Sequence, residues 1–188
     1  MPIETEIKLR VPDLERARVA IEGLGYLVHH ERTHESNAVF DTRARRLRRD
    51  GHLMRVRRFG DQATVTFKGA AIDGRHKQRE EIEFTVSDAD SATLLLHRLG
   101  LRPVFRYEKF RTEFTKPGQD GIITIDETPI GNFLELEGPP DWIDRVAAEL
   151  GYRESDYIKR SYGALYIEHC ESTGTKPGNM LFDPKGRG

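Results

Sequence analysis

The sequence predicts an α+β fold in which eight mostly antiparallel strands make a closed or nearly closed β-barrel with helices packed outside. Three observations carry this. Eight stretches alternate charged or polar residues with apolar ones at the two-residue period of a strand. They are separated by turn-forming segments such as Arg49-Asp50-Gly51-His52 and Lys116-Pro117-Gly118. Only three stretches have the spacing of an amphipathic helix, and each is closed by a glycine.

The first strand, 3–11, sends Glu4, Glu6, Lys8 and Arg10 to one face and Ile7, Leu9 and Val11 to the other. A helix follows on Leu14, Ala17, Ile21 and Leu24, capped by Asp13 and ended by Gly25. Strands are expected over 26–40, 53–59 and 63–69; the second pairs Arg55 with Arg57, and the third sets Thr64, Thr66 and Lys68 against Val65 and Phe67. In the strand 79–86, Arg79, Glu81 and Glu83 oppose Ile82 and Phe84. The second helix uses Ala92, Leu95, Leu96 and Leu99, with Ser87 as its expected N-cap and Gly100 at its end. Strands 103–115, 121–127 and 132–138 carry Lys109 and Arg111, then Asp126, then Glu135 and Glu137, each set backed by apolar residues. The third helix, on Ile143, Val146, Ala147 and Leu150, starts after Pro139-Pro140 and stops at Gly151. Strand, helix and three strands up to residue 69 are followed by a similar succession to residue 138, which hints at duplication. The expected division is one domain over 1–170 and a tail over 171–188 with no core of its own.

Helices need an apolar surface to cover, so they pack on the Ile, Leu, Val and Phe faces and leave the charges facing the interior. Burying so many ions would cost several kcal/mol per ion, roughly recovered only by excellent pairing. A water-filled tunnel that binds a polyanion and metal ions removes the difficulty: Arg and Lys take phosphate oxygens while carboxylates hold the accompanying cations. Glu4, Glu6, Asp126, Glu135 and Glu137 form an oxygen-only candidate set, which suits Mg2+ or Mn2+ rather than zinc. The single cysteine, Cys170, excludes a disulfide framework and a thiolate zinc site within the chain, and His29, His30 and His34 lack clear ligand spacing. No apolar run approaches a membrane span and Met1 is followed at once by charges, so a soluble cytoplasmic protein is expected. The segment 43–58 has eight arginines, but it lacks interleaved aromatics, and 30 basic against 31 acidic residues leave no broad basic field. Nucleic acid is therefore disfavoured as a partner, and Arg43 to Arg49 are expected to form a solvated connection.

The ordered set Glu4-Thr5-Glu6-Ile7-Lys8, Arg55-x-Arg57, Lys68, Arg79-x-Glu81-x-Glu83, Lys109-x-Arg111, Asp126 and Glu135-x-Glu137 resembles the CYTH superfamily of triphosphate tunnel metalloenzymes. That superfamily includes class IV adenylate cyclases, thiamine triphosphatases and inorganic tripolyphosphatases. The resemblance spans about residues 3–165. It implies an eight-stranded tunnel with Glu4, Glu6 and Lys8 at the catalytic centre. Lys8, Arg55, Arg57, Lys68, Arg79, Lys109, Arg111 and Lys159 would hold the triphosphate, with Arg160 as the alternative to Lys159. Glu4, Glu6, Asp126, Glu135 and Glu137 would bind Mg2+ or Mn2+. Where members often carry an Asp-x-Tyr-Phe-Asp type segment, this chain has Asn37-Ala38-Val39-Phe40-Asp41, and the missing tyrosine argues against a specific thiamine triphosphatase. The terminal Tyr157 to Tyr166 resembles the family's closing helix. The expected activity is metal-dependent hydrolysis of an inorganic or organic triphosphate, with an adenylate cyclase making cyclic AMP and pyrophosphate as the alternative. A noncatalytic polyphosphate-binding module ranks lower. The expected partners are a triphosphate-containing small molecule and, in an assembly, a second copy in a homodimer.

Overall fold

The structure, a computed structural model, describes residues 3–183. In chain order the elements are β1 (Ile3–Val11), α1 (Leu14–Gly23), β2 (Leu27–Asp41), α2 (Arg46–Arg49), β3 (Leu53–Phe59), β4 (Gln62–Lys68), β5 (Lys77–Val86), α3 (Ala89–Arg98), β6 (Arg102–Thr115), β7 (Ile122–Thr128), β8 (Gly131–Glu137), α4 (Pro140–Glu149) and α5 (Tyr162–Thr173). The eight strands close into a single barrel in the order β1-β5-β4-β3-β2-β6-β7-β8. Every pairing is antiparallel. Because β1 lies between β5 and β8, the halves suggested by the sequence are not separate sheets.

The alternation seen in the sequence decides which way each strand faces. Ile7, Leu9, Ile123, Ile125, Leu134 and Leu136 turn outward and are buried under Ile21 of α1 and Trp142, Ile143, Val146 and Ala147 of α4. On the other side α3 sets Ala89 and Leu96 over Phe40, Val56 and Val65. A third cluster joins Tyr162 and Leu165 of α5 to Tyr107, Phe133 and Met180. Cover is incomplete: Ile82 and Phe84, on the outer face of β5, remain 47% and 56% exposed.

Helix ends follow the expected chemistry with one correction. Asp13 caps α1 by accepting from the Arg16 amide, and Gly25 and Gly151, one residue past the caps of α1 and α4, take the left-handed φ of 83° and 85°. The cap of α3 is Asp88 rather than Ser87: its two carboxylate oxygens accept from the amides of Asp90 and Ser91 at 3.1 and 2.8 Å. One hydroxyl could not satisfy both donors. The arginine-rich connection contains the four-residue α2, whose amphipathic period is too short to be seen in sequence; Arg43, Arg45, Arg46, Arg48 and Arg49 are all exposed.

Two segments after α4 complete the barrel where strands lack a neighbour. The pairing of β1 with β5 ends at Glu6, and the backbone of Ile158 takes up the next free edge by exchanging two hydrogen bonds with Lys8 at 3.0 and 2.9 Å. The pairing of β6 with β7 starts only at Phe110, and Met180 fills the edge before it, accepting from the Glu108 amide and donating to the Arg106 carbonyl at 2.9 Å each. The described residues following α5 therefore form a strap on the barrel wall, with Met180 only 1% exposed. Among the described residues no helix is long and apolar enough to cross a membrane.

Candidate active site in the barrel lumen

The inward faces meet around one cavity of about 790 Å³. Glu4, Glu6 and Lys8 from β1 line it, as do Arg55 and Arg57 from β3, Lys68 from β4, Arg79, Glu81 and Glu83 from β5, Lys109 and Arg111 from β6, and Glu135 and Glu137 from β8. Asp126 is fully buried in the wall and reaches the site through its partners, accepting from Lys109 at 2.9 Å, from Arg111 at 2.7 Å and from the Tyr162 hydroxyl at 2.7 Å. The expected contact Lys159 and its alternative Arg160 are not brought in, nor is Arg10 from the charged face of β1. Arg10 has left the lumen and lies 5.2 Å over the Phe133 ring. Lys159 donates to the Gly74 carbonyl at 2.6 Å, and Arg160 pairs with Glu168 at 2.7 Å. Neither lines the cavity. The physical reason is the bridge from Ile158 to Lys8, which fixes the backbone so that Tyr162, one turn on, is the side chain entering the site.

Four positions in or against the lumen were missed in the sequence. Glu35 of β2 is 0% exposed, accepts from Asn37 at 2.9 Å, and lies 3.5 Å from Lys109 and 4.0 Å from both Arg57 and Arg111. Its strand has no clean alternation, although the two-residue step from Asn37 could have revealed it. Lys77 precedes the expected start of β5 and pairs with Glu6. Tyr107 accepts from Arg55 at 3.4 Å, and Tyr162 places its ring 5.1 Å from both Lys8 and Lys109.

The lumen ions are paired. Lys8 bridges Glu135 at 2.7 Å and Glu6 at 3.3 Å, Lys68 bridges Glu4 at 2.5 Å and Glu81 at 3.2 Å, and Arg57 holds Glu83 at 2.8 Å. Burial alone would raise Glu35, but the field of Lys109, Arg111, Arg57 and Arg55 outweighs it and holds the carboxyl at about 2. Glu137 goes the other way: desolvation first, then repulsion from Glu4 and Glu6, push it to about 7 even though lumen solvent reaches it.

Some buried atoms lack hydrogen-bond partners, including Glu4 Oε2, Glu35 Oε2, Arg55 Nε and Arg79 Nε. Arg79 Nε and Glu4 Oε2 are 3.5 Å apart, close enough for charge pairing but not hydrogen-bonded. Among the described residues no three His, Cys, Asp or Glu side chains are already gathered around a metal position. The donor chemistry of Glu4 and Glu137 nevertheless fits a hard divalent cation: Glu4 Oε2 accepts no hydrogen bond, and Glu137 is crowded by Glu4 and Glu6, a repulsion such a cation relieves. Asp126, satisfied by three donors, is the member of the expected set with least need of one.

A closed antiparallel barrel with an ionic lumen defines a tunnel protein suited to a polyanion. The chain belongs to the CYTH family, whose domain model matches residues 2–162. A Methanocaldococcus jannaschii protein named "putative adenylate cyclase" is 31% identical over 171 residues, covering 85% of this chain and 96% of the relative. The solved structure of a Vibrio parahaemolyticus protein, described as a "putative adenylate cyclase", superposes with a TM-score of 0.77 at 22% identity, covering 87% of this chain and 97% of that one. A Hippeastrum protein, described as a "putative adenylyl cyclase" with a dominant triphosphatase activity, has a TM-score of 0.62 at 17% identity and covers 94% of this chain and 98% of its own.

Proposed function

We propose that the chain hydrolyses a triphosphate-bearing substrate held in the lumen, with Mg2+ or Mn2+ as cofactor. The observation that carries this reading is the pair of buried guanidinium donors, Arg55 Nε and Arg79 Nε, that make no hydrogen bond, Arg79 Nε having Glu4 Oε2 only at the charge-pairing distance of 3.5 Å. An unsatisfied buried donor costs about 1–3 kcal/mol, more when charged, and phosphate oxygens would satisfy it. Arg57, Lys68, Lys109 and Arg111 lie around the same cavity and supply the remaining cationic contacts. Opposed cations from several strands hold a linear chain of phosphates straight, and charge spread over the transferring phosphoryl group meets donors already in place. Glu4, Glu6 and Glu137 would hold the metal, with Glu135 nearby; a bound metal supplies Lewis acidity and an acidified water. Lys8, between Glu6 and Glu135, keeps those carboxylates charged and oriented.

The named M. jannaschii relative favours a second reading, in which the same cations hold ATP and the ribose hydroxyl attacks the α-phosphate. Product analysis separates the two. Purified protein is assayed with Mg2+ or Mn2+ on tripolyphosphate, ATP and thiamine triphosphate. Release of orthophosphate as the main product is expected; cyclic AMP with pyrophosphate as the main product from ATP would reverse the order.

A further inference from the structure

The cavity has two chemistries along its length. Past the charged lumen it continues between the β2 end, the start of β6, α5 and the strap, where its lining includes Val39, Phe105, Tyr166, Pro177 and Gly178, with the Arg45 side chain at the edge. Phe105 stacks on Tyr107 at 5.7 Å and 24° and on Tyr166 at 5.9 Å and 30°, so three nearly parallel rings lead outward from Arg55, the lumen cation that Tyr107 contacts. The outer ring is pinned to the strap: the Tyr166 hydroxyl donates to the Asn179 carbonyl at 3.1 Å and accepts from the Gly178 amide at 3.3 Å. The strap is in turn fixed to β6 through Met180 and by the Asn179 side chain, which accepts from the Arg106 amide at 2.9 Å. These strap residues lie beyond 2–162, the part matched to the family.

We propose that the strap is a specificity-determining wall: Tyr166, Pro177 and Gly178, continued by Phe105, line a compartment for the flat organic head of a triphosphate ester, while its phosphates lie among the lumen cations. This rests on the reading of the lumen as a triphosphate site. An inorganic triphosphate has nothing to place against apolar and aromatic walls, whereas an unsaturated ring stacks on them without needing specific hydrogen bonds. Arg45, held at a left-handed φ of 56°, adds a guanidinium face that a ring can also stack on. The preferred substrate class is therefore a nucleoside or other heterocyclic triphosphate rather than tripolyphosphate.

The test uses the full chain and two variants that perturb the compartment in opposite senses. Phe105→Leu stays apolar but removes the flat ring; Gly178→Trp adds bulk at a position where the new Cβ meets nothing within 4 Å. Binding by calorimetry and turnover with Mn2+ are both measured for ATP, thiamine triphosphate and tripolyphosphate, with melting temperature as the check on folding. The wild type should favour at least one organic triphosphate over tripolyphosphate by tenfold or more, and each folded variant should reduce that ratio at least tenfold. A wild-type preference for tripolyphosphate, or a ratio unmoved by either variant, overturns the proposal. Selective binding of an organic triphosphate without turnover would defeat the hydrolase reading and leave the compartment standing; no binding of any triphosphate would defeat both.

Discussion

Glu137, which lines the lumen, and Glu35, buried against its cations, are carboxylates in opposite surroundings, and each makes a distinct prediction. Glu137 has its carboxyl raised from 4.5 to about 7, so its protonated form is the one the fold favours. Stability from this group is complete below about pH 4.5 and is lost as pH rises through 7. In metal-free protein, Glu137→Gln should melt with the wild type at pH 5 and above it at pH 8, while activity at limiting Mn2+ falls severely. A lower melting temperature for the variant at pH 8 would mean that Glu137 serves as a counter-ion instead. Glu35 balances Lys109, Arg111 and Arg57. Glu35→Gln should lower ligand-free stability by about 3–5 kcal/mol, the usual result of leaving buried charges unpaired. Saturating tripolyphosphate should restore more stability to this variant than it adds to the wild type, because phosphate oxygens replace the lost counter-charge. Equal ligand-induced shifts in the two melting curves would contradict this.

At the scale of elements, the arginine-rich turn and the β7–α4 contact each depend on one residue. Asp41, 2% exposed, accepts from the amides of Thr42, Leu47 and Arg48 at 2.7, 2.9 and 3.0 Å and so anchors α2. Burial alone would raise its carboxyl, but these backbone hydrogen bonds outweigh that and lower it. Its stabilisation is present above the ordinary aspartate range and is lost as pH falls through the depressed value. Asp41→Ala should cost about 0.5–2 kcal/mol at pH 7, as for other lost caps, and progressively less in acid, measured by urea unfolding. Gly121 lies under Trp142, and a Cβ there would collide with the indole. Gly121→Ala should destabilise by about 1–3 kcal/mol through overpacking, and loss of native Trp142 fluorescence at lower urea would register it.

At the scale of the whole molecule, the barrel is sealed by chain that is remote in sequence. Met180 is buried against a third core cluster and occupies the β6 edge that β7 leaves free. Met180→Ala should cost about 2–5 kcal/mol as a core truncation, with hydrogen exchange rising first at Arg106 to Glu108 rather than across β1. Uniform acceleration over all strands would show that the strap has no local sealing role.

Much of this was legible in sequence because the two-residue period of a strand is local physics. The period fixed the two faces of β1, β3, β4, β5, β6, β7 and β8, and with them the inward Glu4, Glu6, Lys8, Arg55, Arg57, Lys68, Lys109, Arg111 and Glu135. The same locality marked the helix ends at Asp13, Gly25 and Gly151. What tertiary structure alone decided depends on contacts between distant segments. Glu35 becomes a buried counter-charge to the lumen cations because β2 pairs with β6 and sets it opposite Lys109. Lys159 is turned away and Tyr162 brought in because Ile158 bridges to β1. The segment around Met180 is drawn onto the barrel because β6 outruns β7 and leaves an edge whose backbone groups must be satisfied. Charge alternation along a strand can announce an ionic face, but which cation meets which carboxylate is set only when eight strands close on one another.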